Sequence, residues 1–185
     1  MRLVVLAASG VLSLAAAGAV GVSSRVADGA AAPVVSSHGI GGVRFGTPKS
    51  MAVKELTGLL GSPTKRFASN GCGPNYTEVE WSHLYAEFRR DRLAGFRYVR
   101  GGWEGHVVTP VAERRMLPRL MTSNGVSLAS TLGQVRRRYG TLTVVGTDRW
   151  RSRDGLIFYV SYLVTQPAPP NSRIVEIKYG TCGDW

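Results

Sequence analysis

Apolar positions along this chain follow three patterns. Residues 3–22 form an uncharged run of apolar and small side chains. Two later stretches show helical spacing: Val53, Leu56 and Leu60 before Gly61, and Leu132, Val135 and Tyr139 before Gly140. In each, i, i+3, i+7 periodicity ends on a glycine suited to a helix C-cap. The two sets are related by a constant offset of 79 positions, which also pairs Gly46 with Gly125. Thr131 and Gln134 have capping-box spacing. The first stretch offers Thr47-Pro48 or Ser50 as its start and Ser62-Pro63 as its stop.

Strand chemistry follows each helical stretch. Residues 77–88 and 93–100 follow the first, and 142–145, 156–165 and 173–179 the second. Val, Ile, Tyr, Phe and Trp are frequent in these runs, with turn signals at Arg90-Asp91, Arg153-Asp154-Gly155 and 167–171. The pattern predicts an α+β fold of two tandem repeats, helix followed by an antiparallel meander in each. Residues 1–32 are the leader, 33–121 the first repeat and its connector, and 122–185 the second repeat.

Alternation across residues 79–88 places Leu84, Ala86 and Phe88 on one face, and Val79, Trp81, His83, Tyr85 and Glu87 on the other. The purely apolar set suits the helix-covered side. The mixed set has the Trp and Tyr content of a recognition surface, so Trp81, His83 and Tyr85 are candidate binding residues. A bulge would instead put Trp81 in the core and move the search to Trp103 and Trp150 in the loops.

The Gly46 to Pro63 pattern, with glycine, valine, two leucines and a closing Leu-Gly-x-Pro, precedes a cysteine and a Trp-bearing strand. A second unit, Asn124-Gly125-Val126-Ser127-Leu128 through Gln134-Val135 to Tyr139-Gly140, completes the set. It resembles uncharacterised secreted proteins of GC-rich Gram-positive bacteria, whose repeat is similar to that of the β-lactamase inhibitor protein and of small outer-membrane assembly lipoproteins. The resemblance implies two tandem repeats, each a short helix hairpin packed on a four-stranded antiparallel sheet, and binding rather than catalysis. Ala52 and Ala129 depart from its usual Thr and Gly. Each half has one cysteine, so the inhibitor's disulfide within each repeat is lacking, and lactamase inhibition does not carry over.

At 185 residues, 44% hydrophobic and 19% charged, the composition is that of a globular chain. Met1-Arg2, the apolar run and small residues up to Ala32 have the order of a cleavable secretory signal; an uncleaved anchor is the rival. Removing residues 1–32 takes the net charge from +11 to +10, so the exported chain stays basic and Arg-rich. Anionic envelope polymer suits that charge better than nucleic acid, which an exported protein rarely meets. Cys72 and Cys182 are too far apart for a redox pair. In an oxidising compartment they read as one disulfide, worth on the order of 4–5 kcal/mol in the chain-entropy model, or else as two buried thiols.

Catalytic and metal motifs are not found. His38, His83 and His106 are too scattered for a metal cluster. Ser127 and Cys72 lack a neighbouring base, and the glycines at 39–42 and 101–102 lack the Lys-Ser/Thr of a phosphate loop. Glu78, Glu80 and Glu87 share one strand region, with Glu80 expected apart from the other two. Arg136, Arg137 and Arg138 form a solvated helix face or a polymer-binding patch. The expectation is a non-enzymatic exported binding module, without cofactor, for an extracellular protein or an envelope ligand. The alternatives are a basic structural protein on anionic wall polymer and an unrecognised hydrolase.

Overall fold

The computed structural model describes residues 33–68, 73–100, 120–160 and 168–180. Three short strands open it: β1 (Val34–Ser36), β2 (Gly39–Ile40) and β3 (Val43–Arg44). With β8 (Met121–Thr122) they form a four-stranded sheet of order β3-β2-β1-β8, in which β1 and β8 run parallel. Helix α1 (Lys49–Leu60) precedes β4 (Lys65–Ala68), β5 (Tyr76–Trp81), β6 (Leu84–Arg89) and β7 (Arg92–Val99). Helix α2 (Leu132–Tyr139) precedes β9 (Thr143–Gly146), β10 (Arg149–Arg151), β11 (Ile157–Val160) and β12 (Ile174–Tyr179). These eight strands form one antiparallel sheet of order β4-β5-β6-β7-β12-β11-β10-β9, with β7 against β12 as the seam. The fold is α+β, as expected. Among the described residues, however, each half has one helix where a helix hairpin was expected. No described helix is long and apolar enough to cross a membrane.

The helices form where their periodicity and caps require. Helix α1 buries Ala52 and Leu56, four residues apart on one face, and ends at Gly61, whose N–H donates to the Thr57 carbonyl. Helix α2 buries Leu132 and Val135 and ends at Gly140, whose N–H donates to the Arg136 carbonyl. Thr131 Oγ1 accepts from the Gln134 amide at 3.3 Å while Gln134 Oε1 accepts from the Thr131 amide at 2.8 Å, completing the capping box. Both helix starts are tied to the last strand region of their half. Lys49 N donates to Asp91 O and Leu93 N to Thr47 O; correspondingly, Leu132 N donates to Ser172 O and Ile174 N to Ser130 O.

The alternation expected over residues 79–88 fails at Ser82-His83. A two-residue hairpin turn sits there, with Ser82 at φ 53°, and Trp81 pairs directly with Leu84. Residues opposed across an antiparallel ladder share a face, so crossing this turn reverses the parity. Trp81 therefore joins Val79, Leu84, Ala86 and Phe88 in one core with Ala52 and Leu56. It is 2% exposed, and its indole N–H donates to the Gly61 carbonyl at 2.9 Å, fastening the end of α1 to β5. Tyr85 and Glu87 lie on the opposite face with Tyr76, Glu78 and Glu80.

The β7/β12 seam is unusually close at one end. A Cβ on Gly95 would lie 2.4 Å from the Tyr179 carbonyl oxygen, and one on Gly180, at φ 64°, 2.5 Å from that of Ala94. Only glycine fits such backbone approaches.

Candidate functional site

The sheet face opposite the core carries an ionic and aromatic array. Glu78 and Glu87 stand directly across β5 and β6 from each other, 4% and 1% exposed. Arg97 on β7 separates their charges, with Nη2 at 2.8 Å from Glu78 Oε1 and Nε at 3.2 Å from Glu87 Oε1. Its guanidinium also lies 4.7 Å from the centre of the Tyr85 ring. Burial alone would lower the Arg97 pKa, but the hydrogen bond and charge of Glu78, then the charges of Glu87 and Glu176, outweigh it and raise it. Burial, followed by the charge of Glu87, raises the Tyr76 hydroxyl. Further along, Lys178 lies 4.9 Å from the Tyr159 ring centre, and Arg149 Nη1 donates to the Tyr159 hydroxyl at 3.4 Å. Contrary to expectation, Glu80 shares this face with Glu78 and Glu87, because residues 78 and 80 have the same strand parity. Arg97 pairs with one oxygen of each of Glu78 and Glu87, which is how a folded chain tolerates these two carboxylates at such low exposure.

A second constellation lies at the tight end of the seam. An open cleft of about 980 Å³ is formed by the β1–β2 turn, β3, the start of β7, the β10–β11 turn and the end of β12. Its wall includes Ala94, which a β-bulge leaves unopposed: Glu87 pairs with Gly95 and Phe88 with Leu93. Bulges redirect a strand's side chains and recur beside binding sites. Phe45 stacks on Tyr179 with ring centres 5.1 Å apart and planes 7° from parallel, and also on Phe96 at 6.5 Å. The Phe45 amide donates to the His38 carbonyl at 2.9 Å, fixing this wall.

Among the described residues, the charged side chains lining the cleft are Arg44 and Arg151, beside the titratable His38 and Tyr179 and with no carboxylate. Arg44 and Arg151 are exposed, and neither side chain makes a hydrogen bond or ion pair with the described residues. The Asp154 carboxylate, on the same turn as the lining residue Gly155, accepts from Ser152 Oγ at 2.5 Å. The cleft is thus a basic, aromatic-walled recess.

The residues singled out in sequence do not assemble into one site. Trp81 is core. Tyr85 is 4% exposed and sits beneath Arg97 on the opposite face. His83 is half-buried in the hairpin turn. Trp150, expected in a loop, lies on β10 opposite Phe158 and is 3% exposed. A two-residue turn and a three-residue strand defeated the face assignments. Trp103, His106, Cys72 and Cys182 lie outside the described residues. Arg44, Phe45, Ala94, Arg151 and Tyr179 were missed, since four separate chain segments contribute them and no local motif joins them. Among the described residues, no group of three or more His, Cys, Asp or Glu side chains could hold a metal ion. Compared with known proteins, the chain matches no family model, no curated protein and no solved structure.

Proposed function

We propose that this chain is an exported, non-catalytic binding module built from two tandem helix-sheet units, and that it takes its ligand in the seam cleft. The observation that carries the binding site is the convergence on one recess of two guanidinium groups without a partner among the described residues and a stacked aromatic wall. A domain that only needed stability would gain little from holding cations together there, whereas a ligand site gains both charge and contact area. Export rests on the signal-like order of residues 1–32, and a Cys72 to Cys182 disulfide accompanies it.

Support for the tandem units comes from equivalent positions around the helices. Before each helix the offset is 83: Gly42 matches Gly125, both at positive φ; Val43 matches Val126, both buried; and Thr47 and Lys49, which anchor to the last strand region, match Ser130 and Leu132. After the helices the offset is 79, pairing Leu56 with Val135 and Gly61 with Gly140. The difference of four residues is about one helical turn, and α1 has 12 residues where α2 has 8. Gly46 is therefore not the counterpart of Gly125. The order β4 to β7 followed by β12 to β9 mirrors one unit onto the other across the seam. The cleft lies at their junction, where ligand sites commonly form.

The secreted chain serves as bait against the wall and supernatant fractions of its own culture. Ala94→Trp fills the cleft from a partly exposed position. Loss of capture with an unchanged melting temperature is the expected result. Equal capture by both chains would sink the cleft assignment. The alternative, a basic structural protein held on anionic polymer by the exported chain's net charge of +10, predicts capture that fades with salt but ignores Ala94→Trp.

A further inference from the structure

We infer that the seam cleft is an oxyanion site: Arg44 and Arg151 grip the phosphodiester or carboxylate group of an anionic envelope polymer, while the Phe45 and Tyr179 wall packs against the neighbouring apolar part of the same chain. This names the ligand class for the proposed binding site and rests on that proposal.

Three observations point the same way. Guanidinium groups present a rigid fork of donors that matches carboxylate and phosphate oxygens, and among the described residues nothing engages that fork on either arginine. By contrast, Arg97 is held by Glu78 and Glu87, Arg92 by the Gly46 carbonyl and Arg138 by the Asn124 carbonyl. Second, the charged side chains among the described residues that line the recess have one sign. Third, the stacked rings and Ile157 give the recess an apolar wall beside its cations, a combination suited to a charged group carried on a ring or short alkyl spacer rather than to a free inorganic ion. Arg44 and Arg151 arrive from opposite halves of the chain, on β3 and β10, so the grip forms only when the two halves close on each other.

The test measures affinity of the secreted chain, by calorimetry at low salt, for a glycerol-phosphate oligomer, an oligogalacturonate and a neutral cello-oligosaccharide. The first two arms separate phosphodiester from carboxylate as the source of the oxyanion. Binding of either, weakened about tenfold by Arg44→Gln or Arg151→Gln and about a hundredfold by both, is expected, with a shallower salt dependence in the double variant. Arg137→Gln, on the exposed face of α2, should bind like the parent. Binding of the neutral oligosaccharide that Ala94→Trp abolishes but the arginine variants spare would overturn the oxyanion inference and leave the cleft standing. Failure of all three probes to bind, or anionic binding indifferent to both arginines, would overturn it as well.

Discussion

Replacing Arg97 with methionine keeps most of the stem volume and removes the cation between Glu78 and Glu87. Those carboxylates face each other across the β5/β6 ladder at 4% and 1% exposure, so the variant leaves like charges opposed in a place water hardly reaches. Each contact of Arg97, at 2.8 and 3.2 Å, represents a Coulomb attraction of about 5–6 kcal/mol at an effective dielectric near 20, much of it offset by desolvation. The net cost of orphaning buried partners is about 3–5 kcal/mol. Against a total stability of about 5–15 kcal/mol, that loss is severe, and for a chain of this length it corresponds to a fall in melting temperature of roughly 10–15 °C. Arg97→Lys should fall between, since it keeps the charge but cannot reach both carboxylates with a fork. Urea titration monitored by tryptophan fluorescence reads the differences. Adding Glu78→Gln and Glu87→Gln to the methionine variant should recover all but about 2 kcal/mol by removing the repulsion. If Arg97→Met alone stays within about 1 kcal/mol of the parent, the buried network is not what holds this face together.

Trp81→Ala should cost about 3–5 kcal/mol through the cavity and the lost bond to Gly61, with Trp81→Phe recovering most of the packing; a change under about 1 kcal/mol in the same titration would contradict its core placement. Thr131→Ala removes one half of the capping box and should lower stability by about 1 kcal/mol, while Gln134→Ala should cost less; circular-dichroism melts distinguish them. Burial pushes the Tyr98 hydroxyl up to about 12, against the opposing hydrogen bond to the Leu120 backbone. A raised folded pKa means the contribution is intact below pH 10, where the unfolded tyrosine is still neutral, and is lost between pH 10 and about 12. Tyr98→Phe should flatten that part of the stability profile in alkaline denaturation.

What could be read in sequence was what short segments decide for themselves. The α2 capping box and the terminal glycines Gly61 and Gly140 depend on a few adjacent residues, and the structure has them as expected. The Arg90-Asp91 turn was legible too; both residues adopt left-handed backbone, at φ 50° and 54°. Ser82-His83 carries no comparable signal, yet that turn reverses every face assignment beyond it and moves Trp81 from surface to core. Strand β10 is only Arg-Trp-Arg, too short for alternation to declare, so Trp150 read as a loop residue. The cleft was least legible. Arg44 and Arg151 are over a hundred positions apart, and only the β7/β12 pairing and the Ala94 bulge bring their segments to one recess.

The most direct measurement is a two-dimensional NMR titration of the isotope-labelled protein with a glycerol-phosphate oligomer or an oligogalacturonate. Shifts concentrated at residues 37–45, 94–95, 151–157 and 179–180 are the predicted result, because these segments line the cleft or form its tight seam. Shifts centred instead on Arg136, Arg137 and Arg138 of α2, or along β5 and β6 with the cleft silent, would contradict it.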